Sequence, residues 1–110
     1  MSQRVRIETK SIIDWDSFHS VFAETMGFPD FYGRNMDAWI DCMAYIDTAQ
    51  YGMNRVTVPP AGHLELEIGD ADDLQRRLPE IFQALVDCTA FVNERKAVEG
   101  LPPVISLILC

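Results

Sequence analysis

The sequence predicts an α/β domain built on a parallel sheet, and three observations support that fold class. Strand patterns occur three times, over 4–8, 63–68 and 104–109. Two helical patterns lie between each pair of strands, which gives crossovers long enough for parallel, right-handed connections. The first two strands, RVRIE and HLELEI, alternate strictly between polar and apolar residues, so one face of the sheet should be open to solvent. The 110 residues fit a single domain over 1–110.

The first crossover should begin with an amphipathic helix. Asp14 is placed to cap it, and Gly27 is suited to end it because glycine tolerates the left-handed conformation common after a helix. Ile13 and Phe18 are spaced as a hydrophobic staple across the first turn. The stripe expected to face the core comprises Trp15, Phe18, Val21, Phe22 and Met26.

A rigid aromatic turn, FPDFYG at 28–33, leads into the second helix. Pro29 fixes its own φ and restricts the residue before it, and Gly33 is expected to supply a backbone angle that a side chain would forbid. Asn35 should cap the helix, which runs to about Ile46. The buried stripe of this helix comprises Met36, Trp39, Ile40, Met43 and Ile46.

Asp37 and Asp41 share another face of the second helix, because they are four residues apart. Asp37 lies in the first turn, where the helix dipole favours an anion, whereas Asp41 gains little there and repels its neighbour by about 0.2–0.5 kcal/mol. A solvated polar face is the ordinary explanation for such a pair. The alternative is a preorganised negative surface for a cationic partner.

The second crossover repeats the two-helix arrangement. A short helix over 70–77 precedes a longer one that Pro79 can begin, and Arg95 and Lys96 complement its C-terminal end. The buried face of the longer helix comprises Ile81, Phe82, Leu85, Cys88 and Val92. The connection over 47–62 is long, and connections above about 12 residues are usually functional or flexible.

The charge balance favours a basic protein as partner over nucleic acid or membrane. With 17 acidic against 9 basic residues, the formal net charge is −8, which repels phosphate groups and steers association toward cationic surfaces. No charged n-region leads into an apolar h-region and no apolar run approaches membrane-spanning length, so the protein is expected in the cytoplasm. Three cysteines, Cys42, Cys88 and Cys110, lack metal-ligand spacing and are expected to be reduced thiols.

An enzymatic or metal-binding function receives little support. Asp37 and Asp41 are possible acid–base or metal-binding carboxylates, but the sequence has no nucleophile motif and no glycine-rich phosphate loop. His63, Glu65 and Glu67 are possible metal ligands, yet one histidine with two carboxylates on an alternating strand is a common solvent-face pattern. We expect no catalytic residue, no metal site and no cofactor.

The stretch FPDFYGRNMDAWIDCM at 28–43 is similar to the signature of the barstar family of intracellular ribonuclease inhibitors, an L/F-P-aromatic-aromatic-G-x-N-hydrophobic-D-A-x-x-D-C pattern. The residues that match in register are Pro29, Tyr32, Gly33, Asn35, Asp37, Ala38, Asp41 and Cys42. The resemblance implies a two-layer fold with strand order 1-2-3 and helices on one face of the sheet. Arg4 and Arg6 would then lie near Glu65 and Glu67.

The resemblance also implies a partner and a binding surface. A ribonuclease active site is cationic because it stabilises phosphoryl oxygens, and an acidic helix with an aromatic loop can block it. Asp41 would be the central phosphate-like anion and Asp37 the second, and the protein would be a monomer when free. The implied partner-binding residues are Phe31, Tyr32, Gly33, Arg34, Asn35, Asp37, Ile40, Asp41 and Ala44.

Several positions depart from the family pattern. Phe31 stands where tyrosine is usual, Ile40 where tryptophan is common, and Arg34 where the family has an acidic residue. An acid on the last helix that contacts the enzyme in the prototype falls near Asn93 or Glu94. The two central aspartates are intact. A second hypothesis therefore stays open, in which a barstar-like adaptor binds a basic protein that is not a ribonuclease through the same acidic face.

Overall fold

The computed structural model describes residues 2–110 and shows an α/β architecture of three strands and four α-helices in this part of the chain. The elements in chain order are β1 (Ser2–Ile7), a 3-10 turn (Thr9–Ser11), α1 (Trp15–Met26), α2 (Met36–Ala44), a 3-10 turn (Ala49–Tyr51), β2 (His63–Ile68), α3 (Ala71–Arg77), α4 (Pro79–Val98) and β3 (Ile105–Leu109). Among the described residues, no helix combines the length and the apolar character needed to cross a membrane.

The sheet is parallel with strand order β1-β2-β3, as the resemblance implied. The register places Arg4 opposite Glu65 and Arg6 opposite Glu67. Arg4 donates to Glu65 at 2.9 Å and to Glu67 at 3.1 Å, and Arg6 donates to Glu67 at 3.2 Å. The polar residues of β1 and β2 therefore form an ion-paired solvent face, and the predicted open face of the sheet is confirmed.

The helices cover the other face of the sheet and form the core with it. Along β2 the apolar residues Leu64, Leu66 and Ile68 have no solvent exposure, in alternation with the half-buried polar ones. The bulkiest residues packed above them are Trp39 of α2 and Phe18 and Phe22 of α1, and Phe22 meets Trp39 edge to face at 5.7 Å. Burial of this apolar surface is the main favourable term in folding.

The helix ends are set by local chemistry that the sequence predicted. The Asp14 carboxylate accepts from the backbone of Ser17 in a capping box, and Gly27 ends α1 with φ 72°. The Asn35 side chain accepts from the backbone N–H of Ala38 at 2.8 Å and caps α2. The α2 helix ends at Ala44, two residues before the predicted end, because the backbone N–H groups of Tyr45 and Ile46 donate to the carbonyls three residues back and tighten the chain into turns.

Trp15 lies outside the core, and its place in the predicted buried stripe was wrong. Its side chain is 40% exposed, and its ring stacks on His19 with centroids 6.0 Å apart. Ile13 is exposed as well, so half of the predicted staple lies at the surface. His19, one turn along the helix, is the buried residue, and Trp15 covers it.

The connection over 47–62 is held against both helices of the first crossover. The backbone N–H of Arg55 donates to the carbonyl of Met26 at 2.9 Å, and that of Val58 donates to the carbonyl of Ile46 at 2.8 Å. These bonds satisfy backbone groups at the ends of α1 and α2, where helices leave carbonyls without an intrahelical donor. The segment is therefore positioned alongside the acidic helix.

Candidate functional site

Asp37, Asp41 and Tyr45 follow one another at four-residue intervals and share one side of α2, which we call the α2 face. The helix cap at Asn35 fixes where this face begins. Asp37 is exposed in the first turn, and the side chain of Asp41 is 61% exposed. Tyr45 is exposed at the C-terminal cap. The structure therefore brings the two predicted carboxylates together on an accessible surface, and Tyr45 extends it.

The aromatic turn presents Phe31 beside the α2 face. Its ring is 78% exposed, an unusual position for a large apolar side chain. A small depression connects Phe31 with Asp41, lined also by Pro29, Tyr32, Gly33, Ala38, Cys42 and Met53. An apolar ring and a carboxylate thus border one concave patch.

Tyr32 is the buried residue that fixes the position of the aromatic turn. The residue is only 9% exposed, and its hydroxyl lies 2.6 Å from Nδ1 of His19. Burial raises the pKa of Tyr32, so the hydroxyl keeps its proton. Burial, followed by the nearby Arg34 charge, lowers the pKa of His19, which favours a neutral imidazole able to accept a hydrogen bond from that hydroxyl. Tyr32 therefore anchors the turn to α1, and its ring adds little apolar area to the surface.

Arg34 carries the left-handed conformation of the turn, with φ 55°, and the prediction that Gly33 does so was wrong. A Cβ at Gly33 would lie 3.4 Å from Asn35 and 3.5 Å from Ala38, which are ordinary contacts. The guanidinium of Arg34 donates to the carboxylate of Asp16 at 2.8 Å. It also donates to the Asp16 carbonyl and the Ser20 hydroxyl, so three α1 acceptors hold this cation against α1.

Arg95 is a functional-site neighbour that the sequence analysis did not find. Its Nη1 donates to Oδ1 of Asp41 at 3.3 Å across the α2–α4 contact. Arg95 was predicted only as a cation near a helix C-terminus, and its 54-residue separation from Asp41 left no local signal in the sequence. The central carboxylate of the α2 face therefore has an internal counter-ion.

Comparison with known protein families identifies the family to which this chain belongs. A family model described as Barstar (barnase inhibitor) matches residues 2–108. The chain belongs to the barstar family. No curated protein matches it. The resemblance carried by 28–43 is thus confirmed, and it extends over almost the whole chain to a family whose model is described as a barnase inhibitor.

Besides Tyr32, two positions that the barstar resemblance placed at or near the partner surface serve the packing of the protein itself. Ala44 is only 3% exposed because it packs in the core, so its side chain offers no contact area. The Asn93 side-chain oxygen accepts from the backbone N–H groups of Val104 and Ile105 at 2.9 and 3.1 Å. Asn93 therefore joins α4 to the start of β3, and the neighbouring Glu94 is exposed.

The remaining partner residues differ in accessibility. Ile40 is half-buried against the core, so only part of its side chain faces outward. Gly33 and Asn35 are exposed, but the Asn35 side chain already caps α2. These two positions therefore present chiefly backbone to solvent, whereas Phe31, Asp37 and Asp41 present side chains.

Metal-ligating side chains do not converge in the part of the chain that the structure describes. Among residues 2–110, no three His, Cys, Asp or Glu side chains are placed to hold one metal ion. Both ring nitrogens of His63 are engaged, one with the Pro103 carbonyl at 2.9 Å and the other with the Ser106 hydroxyl at 2.7 Å. Burial, and then the charge of Asp41, raises the pKa of the Cys42 thiol to about 11, which leaves almost no thiolate at neutral pH.

Proposed function

We propose that this protein inhibits a ribonuclease by laying the α2 face and the turn at 28–35 over the enzyme's cationic active site. The observation that carries the proposal is a pair of accessible carboxylates, Asp37 and Asp41, one turn apart on a capped helix beside the exposed ring of Phe31. Membership of the barstar family supports it independently.

The physical argument is mimicry of a substrate's charge. A ribonuclease must place cationic groups around a phosphate, because the transition state spreads negative charge over the phosphoryl oxygens. A carboxylate on a rigid helix accepts charge-assisted hydrogen bonds from the same groups. It has no scissile bond, so the enzyme is blocked.

Each surface residue has a separate role in this proposal. Asp41 is the central anion, Asp37 is the second, and Phe31 supplies the apolar contact area. The backbone at Gly33 and Arg34 approaches the enzyme closely, since Gly33 has no side chain and Arg34 is bound to α1. Tyr32 keeps this backbone in place through His19.

The cytoplasm is the compartment that we propose for this inhibitor. All three cysteines are free, with Cys42 buried and Cys110 exposed. Free thiols persist in reducing compartments, whereas secreted domains of this size commonly use disulfides.

Replacing Asp41 with Ala tests the proposed function. The ribonuclease is one recovered with the purified protein as bait, and its kinetics are measured by surface plasmon resonance. We expect faster dissociation, because a buried cation of the enzyme loses its partner. A double-mutant cycle with that cation should give a coupling of roughly 1.5–7 kcal/mol, a range taken from the family's own barnase–barstar complex and not an independent estimate.

The Asp72→Ala variant is the matched control, because it removes one exposed carboxylate from α3, away from the α2 face. It should leave dissociation unchanged. If Asp41→Ala behaves like this control, the proposed site is wrong. If only basic proteins without ribonuclease activity are captured, the adaptor hypothesis replaces the inhibitor.

A further inference from the structure

An open cavity of about 460 Å³ lies at the C-terminal end of α2, between α2, the connection over 47–62 and α4. We call it the tyrosine cavity; the lining residues that matter here are Tyr45, Tyr51, Asp47, Lys96, Glu99 and Leu101. Its volume lies within the range of about 300–1,000 Å³ that is common for binding pockets.

Two tyrosine rings form one wall of the tyrosine cavity. Tyr45 and Tyr51 meet edge to face with centroids 5.1 Å apart, and Tyr51 is 63% exposed. Tyr45 is the last member of the α2 face, one helical turn or about 6 Å beyond Asp41. The wall is therefore continuous with the surface proposed to cover the ribonuclease. Exposed tyrosines are typical of interface anchors, because each combines apolar area with a polar tip.

The floor of the cavity is a buried ion pair, and the rim adds a second carboxylate. Nζ of Lys96 lies 2.9 Å from the Asp47 carboxylate and 3.8 Å from that of Glu99, so one ammonium group serves two carboxylates. The Lys96 and Asp47 side chains are more than nine-tenths buried, whereas Glu99 is exposed at the rim. The charges of Lys96 and Asp47 cancel at the floor, so the three groups together have a formal charge of −1 that lies at the rim on Glu99 and favours a cation over an anion.

We infer that the tyrosine cavity receives an arginine side chain of the ribonuclease, as a second anchor beside Asp41. This inference deepens the proposed function and rests on it. A guanidinium stacks on a tyrosine face and bonds a carboxylate through its planar fork, and its methylene stem packs on apolar walls such as Pro60 and Leu101. Lysine fits less well, because its compact ammonium is more strongly hydrated and lacks the fork.

The Tyr51→Ala variant tests the inference against the cognate ribonuclease. Loss of the stacking contact should accelerate dissociation by roughly 3- to 30-fold, the factor that corresponds to the usual strength of a cation–π contact. Since Tyr51 is largely exposed, the fold should survive, and thermal melting checks this. Tyr51→Phe keeps the ring and should bind like the unchanged protein.

Ile13→Ala is the matched control, because Ile13 has a similar exposed fraction, 68%, and lies in a groove beside Pro79 and Glu80 at the opposite end of α4. It should not change dissociation. Arginine residues of the ribonuclease are then replaced one at a time, and one of them should couple to Tyr51 in a double-mutant cycle.

The outcomes separate this inference from the proposed function. If Asp41→Ala accelerates dissociation while Tyr51→Ala matches Ile13→Ala, the tyrosine cavity is not an anchor and the inhibitor proposal stands. If Tyr51→Phe is as damaging as Tyr51→Ala, the hydroxyl matters instead of the ring, which overturns the arginine assignment. If Asp41→Ala also has no effect, the proposed surface fails and this inference fails with it.

Discussion

Two arginines beside the acidic surface act in opposite ways at the scale of single residues. Arg34 stands where the family has an acid, yet its guanidinium is bound to Asp16 and Ser20 of α1, so its charge is directed away from the α2 face. Arg95 donates to Asp41 and occupies an oxygen that a partner's cation would use. Because both side chains of this pair are partly exposed, the interaction should contribute at most about 1 kcal/mol.

Replacing Arg95 with Gln should therefore strengthen ribonuclease binding. In this variant Asp41 has no internal hydrogen bond to give up when the partner binds. The affinity for the ribonuclease should therefore rise by up to about 5-fold, the equivalent of 1 kcal/mol. Arg76→Gln is the control, because it changes net charge equally at an exposed pair with Asp73 on α3. Isothermal titration calorimetry measures both variants. A loss of affinity in Arg95→Gln alone would show instead that Arg95 contacts the partner directly.

At the scale of secondary-structure elements, the sequence predicts what depends on near neighbours. The caps at Asp14 and Asn35 and the end of α1 at Gly27 follow from residues within one turn, and all three were predicted. The alternation of polar and apolar residues in β2 likewise predicted which of its side chains are buried and which face solvent. Each of these features is a local choice of backbone and side chain, which is why single-sequence patterns contain it.

Features that join distant elements were not predictable in the same way. The buried Lys96–Asp47 pair links residues 49 positions apart, and the sequence analysis assigned Lys96 only to the end of a helix. The α2 face was predicted at Asp37 and Asp41 because both belong to one helix. The packing of Tyr51 on Tyr45 depends on the path of the 47–62 connection, which has no periodic pattern.

The two faces of the sheet should respond differently to truncation. Leu66 has no solvent exposure, so Leu66→Ala should lower the free energy of unfolding by roughly 2–5 kcal/mol through lost burial and a cavity. Glu65 lies on the ion-paired solvent face, so Glu65→Ala should change it by about 0.5 kcal/mol or less. Urea denaturation followed by circular dichroism measures both. Equal losses would mean that the polar face is also covered.

At the scale of the whole molecule, the charge of −8 and the placement of ion pairs act together. Arg4 and Arg6 are paired with Glu65 and Glu67 on the open face of the sheet. The α2 face presents Asp37 and Asp41, and of these two Asp41 is paired with Arg95. A cationic partner is therefore attracted by the net charge and oriented by the carboxylates of α2.

Salt should act mainly on the rate of association with the ribonuclease. The Debye length falls from about 30 Å at 0.01 M to about 3 Å at 1 M salt, so steering over the approach distance is removed and the association rate should fall by about 10-fold or more. Contacts at Asp41 are desolvated in the complex and screened much less, so dissociation should change by less than about 3-fold. Stopped-flow mixing across this salt range measures both rates. An association rate that does not change with salt would show that the acidic excess has no part in recognition. A dissociation rate that rises steeply with salt would mean that Asp41 stays exposed to water in the complex, contrary to its proposed place at the centre of the interface.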